Sequence, residues 1–234
     1  MKLKTKEEYE QVIILNFNDS NLTELPESIG YCINMTDFIC NNNQITKLPN
    51  SLGNCTQLKY INCYYNKLTE LPNELGNCSR LYKLECGYNQ LTYLPETLKS
   101  LGVLCCQHNE LTFLPECLGE CQHLNILYCY RNKLKILFES IGLCKKLQFI
   151  QCNYNELTEF PESLGDCTDL WTIICNNNLL IELPESLENC KKFRELQCAN
   201  NLLISYPHTF EPLNLKLDVQ LPYLPNTNKM FAIK

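Results

Sequence analysis

A chain of 234 residues with 45% hydrophobic and 20% charged side chains has enough apolar material to bury a core, which excludes wholesale disorder. Its net charge of −6 speaks against a nucleic-acid backbone as main partner and against a polybasic membrane-binding surface, since both need a basic face. Met1 to Glu8 is charged rather than apolar, and no apolar run is long enough to span a bilayer, so a cytoplasmic protein without membrane insertion is expected.

In chain order, residues 1–11, including Tyr9, are expected to form an N-terminal cap. Residues 12–213 then repeat. Asparagine recurs at Asn43, Asn66, Asn89, Asn109, Asn132, Asn155, Asn178 and Asn201, with Ser20 in the same place one period earlier. The step is 23 residues, except for 20 between Asn89 and Asn109. Self-similarity at this period specifies a solenoid, in which each repeat covers its neighbours. Within a repeat, Leu58 to Cys63 alternates apolar and variable residues, the periodicity of a strand with Ile61 and Cys63 inward and Tyr60 and Asn62 outward. Asn66 turns the chain and is expected to satisfy backbone groups left unpaired inside the coil. The return segment Leu71-Pro72-Asn73-Glu74-Leu75-Gly76 suits one short helical or 3-10 turn, with proline at its first position and glycine as its stop. Two repeats are irregular. Leu94 to Leu101 lacks the glycine-x-cysteine step, and Phe138 stands where its siblings have proline. Leu213 to Leu217 alternates and is expected to close the sheet, within a C-terminal cap and tail over 214–234.

Fifteen of the seventeen cysteines fall on two ladders, one through Cys63 on the strands and one through Cys78 on the return side; only Cys105 and Cys117 lie off both. Cysteine that takes the place of core leucine repeat after repeat acts as a small hydrophobe. In-register parallel strands hold such residues about 4.8 Å apart with their Cβ atoms pointing the same way, which disfavours bridging. Reduced thiols are therefore expected.

The unit Leu58-x-x-Ile61-x-Cys63-x-x-Asn66-x-Leu68-Thr69-x-Leu71-Pro72-x-x-Leu75-Gly76-x-Cys78 resembles the leucine-rich repeat, with cysteine at two positions where leucine is usual. The resemblance implies an α/β, strand-rich horseshoe of nine repeats, with a parallel concave sheet and short convex turns. The Leu-Pro-x-x-Leu-Gly-x-Cys step is similar to cytosolic scaffolds of the Ras-suppressor and Shoc type, and the compact build to bacterial effectors delivered into host cells. It implies a non-catalytic protein-binding module, monomeric, without cofactor or metal, and located in the host cytosol if delivered there. A ubiquitin-ligase domain, which some bacterial relatives carry, is not implied.

The phase of the repeat sorts the outward residues. Tyr60, Tyr64, Tyr65, Tyr88, Tyr128, Tyr130, Arg131, Phe149 and Tyr154 are expected on the concave face, with Tyr82 and Trp171 at its rim. Tyrosine combines a large ring with one polar tip at low entropic cost, which suits a binding surface. Exposed strands also favour aromatic residues, but Tyr65, Tyr88 and Tyr154 lie past the strand. Asn153 is expected to face outward and Cys105 to be an exposed thiol. Two rival readings remain: an enzyme using Cys105 and His108 as nucleophile and base, and a self-assembling structural protein whose aromatic face packs on another copy.

Overall fold

The computed structural model describes residues 5–204 and 216–218. One parallel sheet runs the length of the molecule. Its strands, in sequence order, are β1 (Ile14–Asn16), β2 (Asp37–Ile39), β3 (Tyr60–Asn62), β4 (Lys83–Glu85), β5 (Val103–Cys105), β6 (Ile126–Tyr128), β7 (Phe149–Gln151), β8 (Thr172–Ile174), β9 (Glu195–Gln197) and β10 (Lys216–Asp218). Each pairs in register with the next, so Tyr60 lies beside Lys83 and Ile61 beside Leu84. β10 pairs with β9 and extends one residue past the alternating segment expected to close the sheet; the remaining C-terminal residues lie outside the described ones.

The inward residues form one continuous core. Phe38, Ile61, Leu84, Leu104, Leu127, Ile150, Ile173 and Leu196, at the middle of successive strands, are all fully buried. All seventeen cysteines are free and buried. Their thiols also have a directional role. Cys55, Cys144 and Cys167 donate to the carbonyls of Ile29, Leu118 and Ile141, each in the preceding repeat, at 3.5, 3.4 and 3.2 Å. Leucine would fill this space but leave that contact unmade.

The asparagine ladder performs the accounting required of buried backbone. Asn132 Nδ2 donates to the carbonyls of Cys106 (3.1 Å) and Cys129 (3.0 Å), and its Oδ1 accepts from the Leu111 amide (3.0 Å). Asn66 does the same with Cys40, Cys63 and Ile45. One side chain thus ties three backbone groups in two repeats.

Seven 3-10 helices line the convex side among the described residues: Glu27–Tyr31, Asn50–Asn54, Asn73–Asn77, Glu116–Glu120, Glu139–Leu143, Glu162–Asp166 and Glu185–Asn189. The proline expected at the first helical position precedes it instead, as an extended N-cap residue (Pro72, φ −67°, ψ 135°). Phe138 adopts the same geometry (φ −68°, ψ 138°) and is buried, which explains why the repeat tolerates it. No 3-10 helix forms between β4 and β5, where the repeat is three residues short.

The recurrent glycine does not stop these helices. It lies inside them, and no glycine of the described chain has a positive φ. Its role is steric: a Cβ on Gly165 would come within 2.2 Å of the Ser186 carbonyl oxygen in the next repeat. In the last described return segment the equivalent residue is Glu188. Gly165→Ala is expected to cost about 1–3 kcal/mol by overpacking, measured by denaturant melts. A neutral result would contradict the rigidity of this stack.

At the N-terminal end, α1 (Lys6–Glu10) starts with a capping box between Thr5 and Glu8 and rests on the first 3-10 helix, where Tyr9 donates to Ser28 at 3.2 Å.

Candidate functional site

Just before each ladder asparagine the chain must enter the left-handed region. Residues 19, 42, 65, 88, 108, 131, 154, 177 and 200 all have φ between 53 and 57° or just below, from Tyr65 at 51° upward. Near the ends of the coil this place is taken by Asp19, Asn42, Asn177 and Asn200, short polar residues that tolerate the conformation. In the five central repeats it is taken by Tyr65, Tyr88, His108, Arg131 and Tyr154. For bulky side chains this backbone is costly, by roughly 1 kcal/mol or more each. The periodicity could have exposed it, because the asparagines and aspartate of that column announce the turn.

The five side chains form a ledge along one rim of the concave face. The rings of Tyr65 and Tyr88 lie 4.2 Å apart at 34°, and Tyr88 stacks on His108 at 3.8 Å and 17°. Farther along, the Arg131 guanidinium sits 4.6 Å from the centre of the Tyr154 ring. Burial, and then the neighbouring Arg131 charge, lower the His108 pKa, so that the neutral ring is the one stacked at neutral pH.

Inside the ledge runs a second column. Tyr64 lies edge-on to Tyr65 at 4.7 Å, and Tyr130 faces His108 edge-on at 5.4 Å. Tyr64 occupies space that Gly87 vacates, since a Cβ there would come 2.7 Å from the Tyr64 ring. Deeper on the sheet, Tyr128 and Phe149 pair at 5.4 Å. Tyr60 donates to the Glu85 carboxylate, which Lys83 also meets at 2.7 Å. On the opposite rim the Tyr82 ring lies over Gly102 and its hydroxyl accepts from Asn125 at 3.2 Å. Trp171 stands 58% exposed on the same rim, apart from the ledge.

Two outward residues are more covered than their phase predicts. Cys105 faces the concave side but is only 7% exposed, because the large side chains of neighbouring strands close over it. Asn153 is 9% exposed and its Oδ1 has no partner. Gln107, which the repeat phase alone does not single out, is 8% exposed at the floor between Tyr64 and Tyr130.

The Cys105–His108 pairing receives no geometric support. The His108 ring is stacked on Tyr88, and burial pushes the Cys105 thiol up to about 12. A thiol in that range is protonated and unreactive at neutral pH. Cys106 points into the core and donates to the Tyr128 carbonyl. Among the described residues no group of three or more His, Cys, Asp or Glu side chains could hold a metal ion, and no helix is long and apolar enough to cross a membrane. Native protein at pH 7 is expected to react with iodoacetamide at a small fraction of the rate of the denatured chain, where all seventeen thiols should titrate as free. Rapid labelling of Cys105 in the folded protein would restore the nucleophile reading.

Comparison with known proteins places this architecture. Residues 57–78 match the family model described as Leucine Rich Repeat. A leucine-rich-repeat protein of Leptospira interrogans superposes with a TM-score of 0.72 at 23% identity, over 94% of this chain and 70% of that one. YopM, a leucine-rich effector protein from Yersinia pestis, superposes with a TM-score of 0.68 at 26% identity, over 88% of this chain and 59% of YopM. The functional domain of InlJ from Listeria monocytogenes, which includes a cysteine ladder, gives 0.63 at 22% identity, over 95% of this chain and 57% of that one. No curated protein matches the sequence. The chain is a leucine-rich-repeat solenoid, a fold that supports protein–protein interaction and is generally non-catalytic.

Proposed function

We propose that this leucine-rich-repeat solenoid is a non-catalytic module that binds a protein partner through the middle of its concave face. The observation that carries this reading is the ledge: five central repeats place Tyr, Tyr, His, Arg and Tyr where asparagine would hold the left-handed backbone at lower energy. Bulky residues kept in strained backbone are a hallmark of function rather than of stability. Clustered, half-exposed aromatic rings have the composition of interface anchors. Tyr65, Tyr88, Tyr130, Arg131 and Tyr154 would make the main contacts, with Tyr60, Tyr64, Tyr82, Tyr128, Phe149 and Trp171 around them. The terminal caps, over 1–11 and 214–234, would close the open ends of the core.

The centre of the face is nearly uncharged: Lys83 and Glu85 neutralise each other, leaving Arg131. Five of the seven convex helices, by contrast, begin with glutamate, at Glu27, Glu116, Glu139, Glu162 and Glu185. Attraction through aromatic and amide groups is weakly screened by salt. Capture of the partner from lysate on immobilised protein is expected to change by no more than a few-fold between about 0.1 and 0.5 M salt. Capture that disappears over that range would point to the acidic convex side instead. The likeness to YopM supports a bacterial effector working in a reducing host cytosol, a setting in which seventeen free thiols persist. Light scattering at graded concentrations separates this reading from self-assembly, which would raise the apparent mass.

A further inference from the structure

The concave face is not uniformly flat. Between β3 and β7 it holds an open cavity of about 360 Å³, walled by Tyr64, Tyr128 and Tyr130, with Glu85 on one side and Cys105 and Gln107 beneath. Its polar chemistry is lopsided. The Glu85 carboxylate has acceptor capacity beyond its bonds to Lys83 and Tyr60. Gln107 is more than nine-tenths buried, and its Oε1 has no donor. Its Nε2 makes only a long 3.3 Å bond to the Tyr64 hydroxyl. A buried amide oxygen without a donor is a cost the fold has left standing. What the cavity lacks is therefore a donor-rich group that is flat enough to lie between tyrosine rings.

We propose that this cavity receives the guanidinium group of an arginine side chain presented by the bound partner. The planar guanidinium has five N–H donors in a fixed fork, pairs side-on with a carboxylate, and stacks on aromatic faces. Its entry would turn one fork toward Glu85, displacing the Lys83 ammonium, whose side chain is already 39% exposed and free to swing into solvent. The other donors meet Gln107 Oε1 once the weak Nε2–Tyr64 contact opens and the amide turns that oxygen toward the cavity. The tyrosine rings supply the cation–π walls. A lysine ammonium fits less well, because it is a strongly hydrated point charge without a flat face to lie between the rings. This assignment rests on the concave face being the partner-binding surface, and it names what that surface recognises at its centre.

The test uses a small probe, so it does not need the partner. N-acetyl-arginine N-methylamide, its citrulline counterpart and its lysine counterpart are titrated into the full chain, and the ring signals of Tyr64, Tyr128 and Tyr130 are followed by NMR. The arginine probe should saturate near 1 mM, within the efficiency open to so small a ligand. Citrulline, which keeps the shape and loses the charge, should bind at least tenfold more weakly, and lysine several-fold more weakly. Glu85→Gln, which keeps a hydrogen-bonding side chain at this largely covered place, should weaken the arginine probe about tenfold. Lys83→Met should tighten it a few-fold by removing the competing cation, a gain that a merely disturbed fold would not produce. Glu162→Gln on the convex side should change nothing. Equal binding of arginine and citrulline, indifference to both Glu85→Gln and Lys83→Met, or no saturation by about 20 mM would overturn the assignment. If the probe fails while ledge variants still abolish partner capture, the cavity assignment falls and the binding face stands. If the probe binds selectively while ledge variants leave capture intact, the arginine pocket stands and the ledge is not the interface.

Discussion

Replacing Tyr88 and Tyr154 together by asparagine is expected to abolish partner binding while leaving the protein as stable as before, or slightly more so. Alanine would confound the experiment, because both positions have positive φ, at 53 and 56°. Asparagine occupies the same column at Asn42 and Asn177 with φ of 54 and 57°. Substitution to asparagine therefore relieves backbone strain and removes two rings from the ledge in one step. Truncated interface anchors commonly cost about 2 kcal/mol or more each, so affinity should fall by nearly a thousandfold or more. Surface plasmon resonance on captured partner reads the affinity, and a thermal melt reads the fold. A double variant that binds as wild type, with an unchanged or raised Tm, would end the concave-face proposal. Loss of binding together with a collapsed Tm would contradict the account of this column as a strained left-handed turn.

Asn132→Ala should have one of the largest effects on stability among polar substitutions in the middle of the coil, shared with the other ladder asparagines. It strands the Leu111 amide in the interior and takes one of two donors from the carbonyls of Cys106 and Cys129, which keep Asn109 and Asn155. A buried amide without a partner costs about 1–3 kcal/mol, and the two weakened carbonyls place the total toward the upper end of that range. Asn153→Ala makes an instructive contrast. That residue is nearly as buried as Asn155, but its Oδ1 accepts nothing. Truncation removes an already unsatisfied acceptor and should cost about 1 kcal/mol or less. Chemical denaturation of both variants with a common slope gives the comparison. Equal losses would mean that packing rather than hydrogen bonding governs the ladder.

The repeat makes the architecture legible in the sequence, because a solenoid is the same local problem solved nine times. The 23-residue step, the inward Ile61 and Cys63, the turn at Asn66 and the convex segment after Pro72 follow from periodicity and turn chemistry within one unit. So does the concave placement of Tyr60, Tyr64, Tyr128 and Tyr130, since a strand alternates its faces. What periodicity cannot supply is how large side chains from different repeats share space once the strands lie side by side. Cys105 and Asn153 have outward phase and are nevertheless covered, because bulky neighbours on adjacent strands close over them. Gly165 reads as a helix stop in one repeat and proves to be a steric gap for the next. Gly87 is likewise an absence into which Tyr64 fits. The ledge from Tyr65 to Tyr154 and the orphaned oxygen of Gln107 belong to this second kind. They exist only when parallel strands bring residues 20 or 23 positions apart into contact, because the shared space between side chains is settled at that tertiary step.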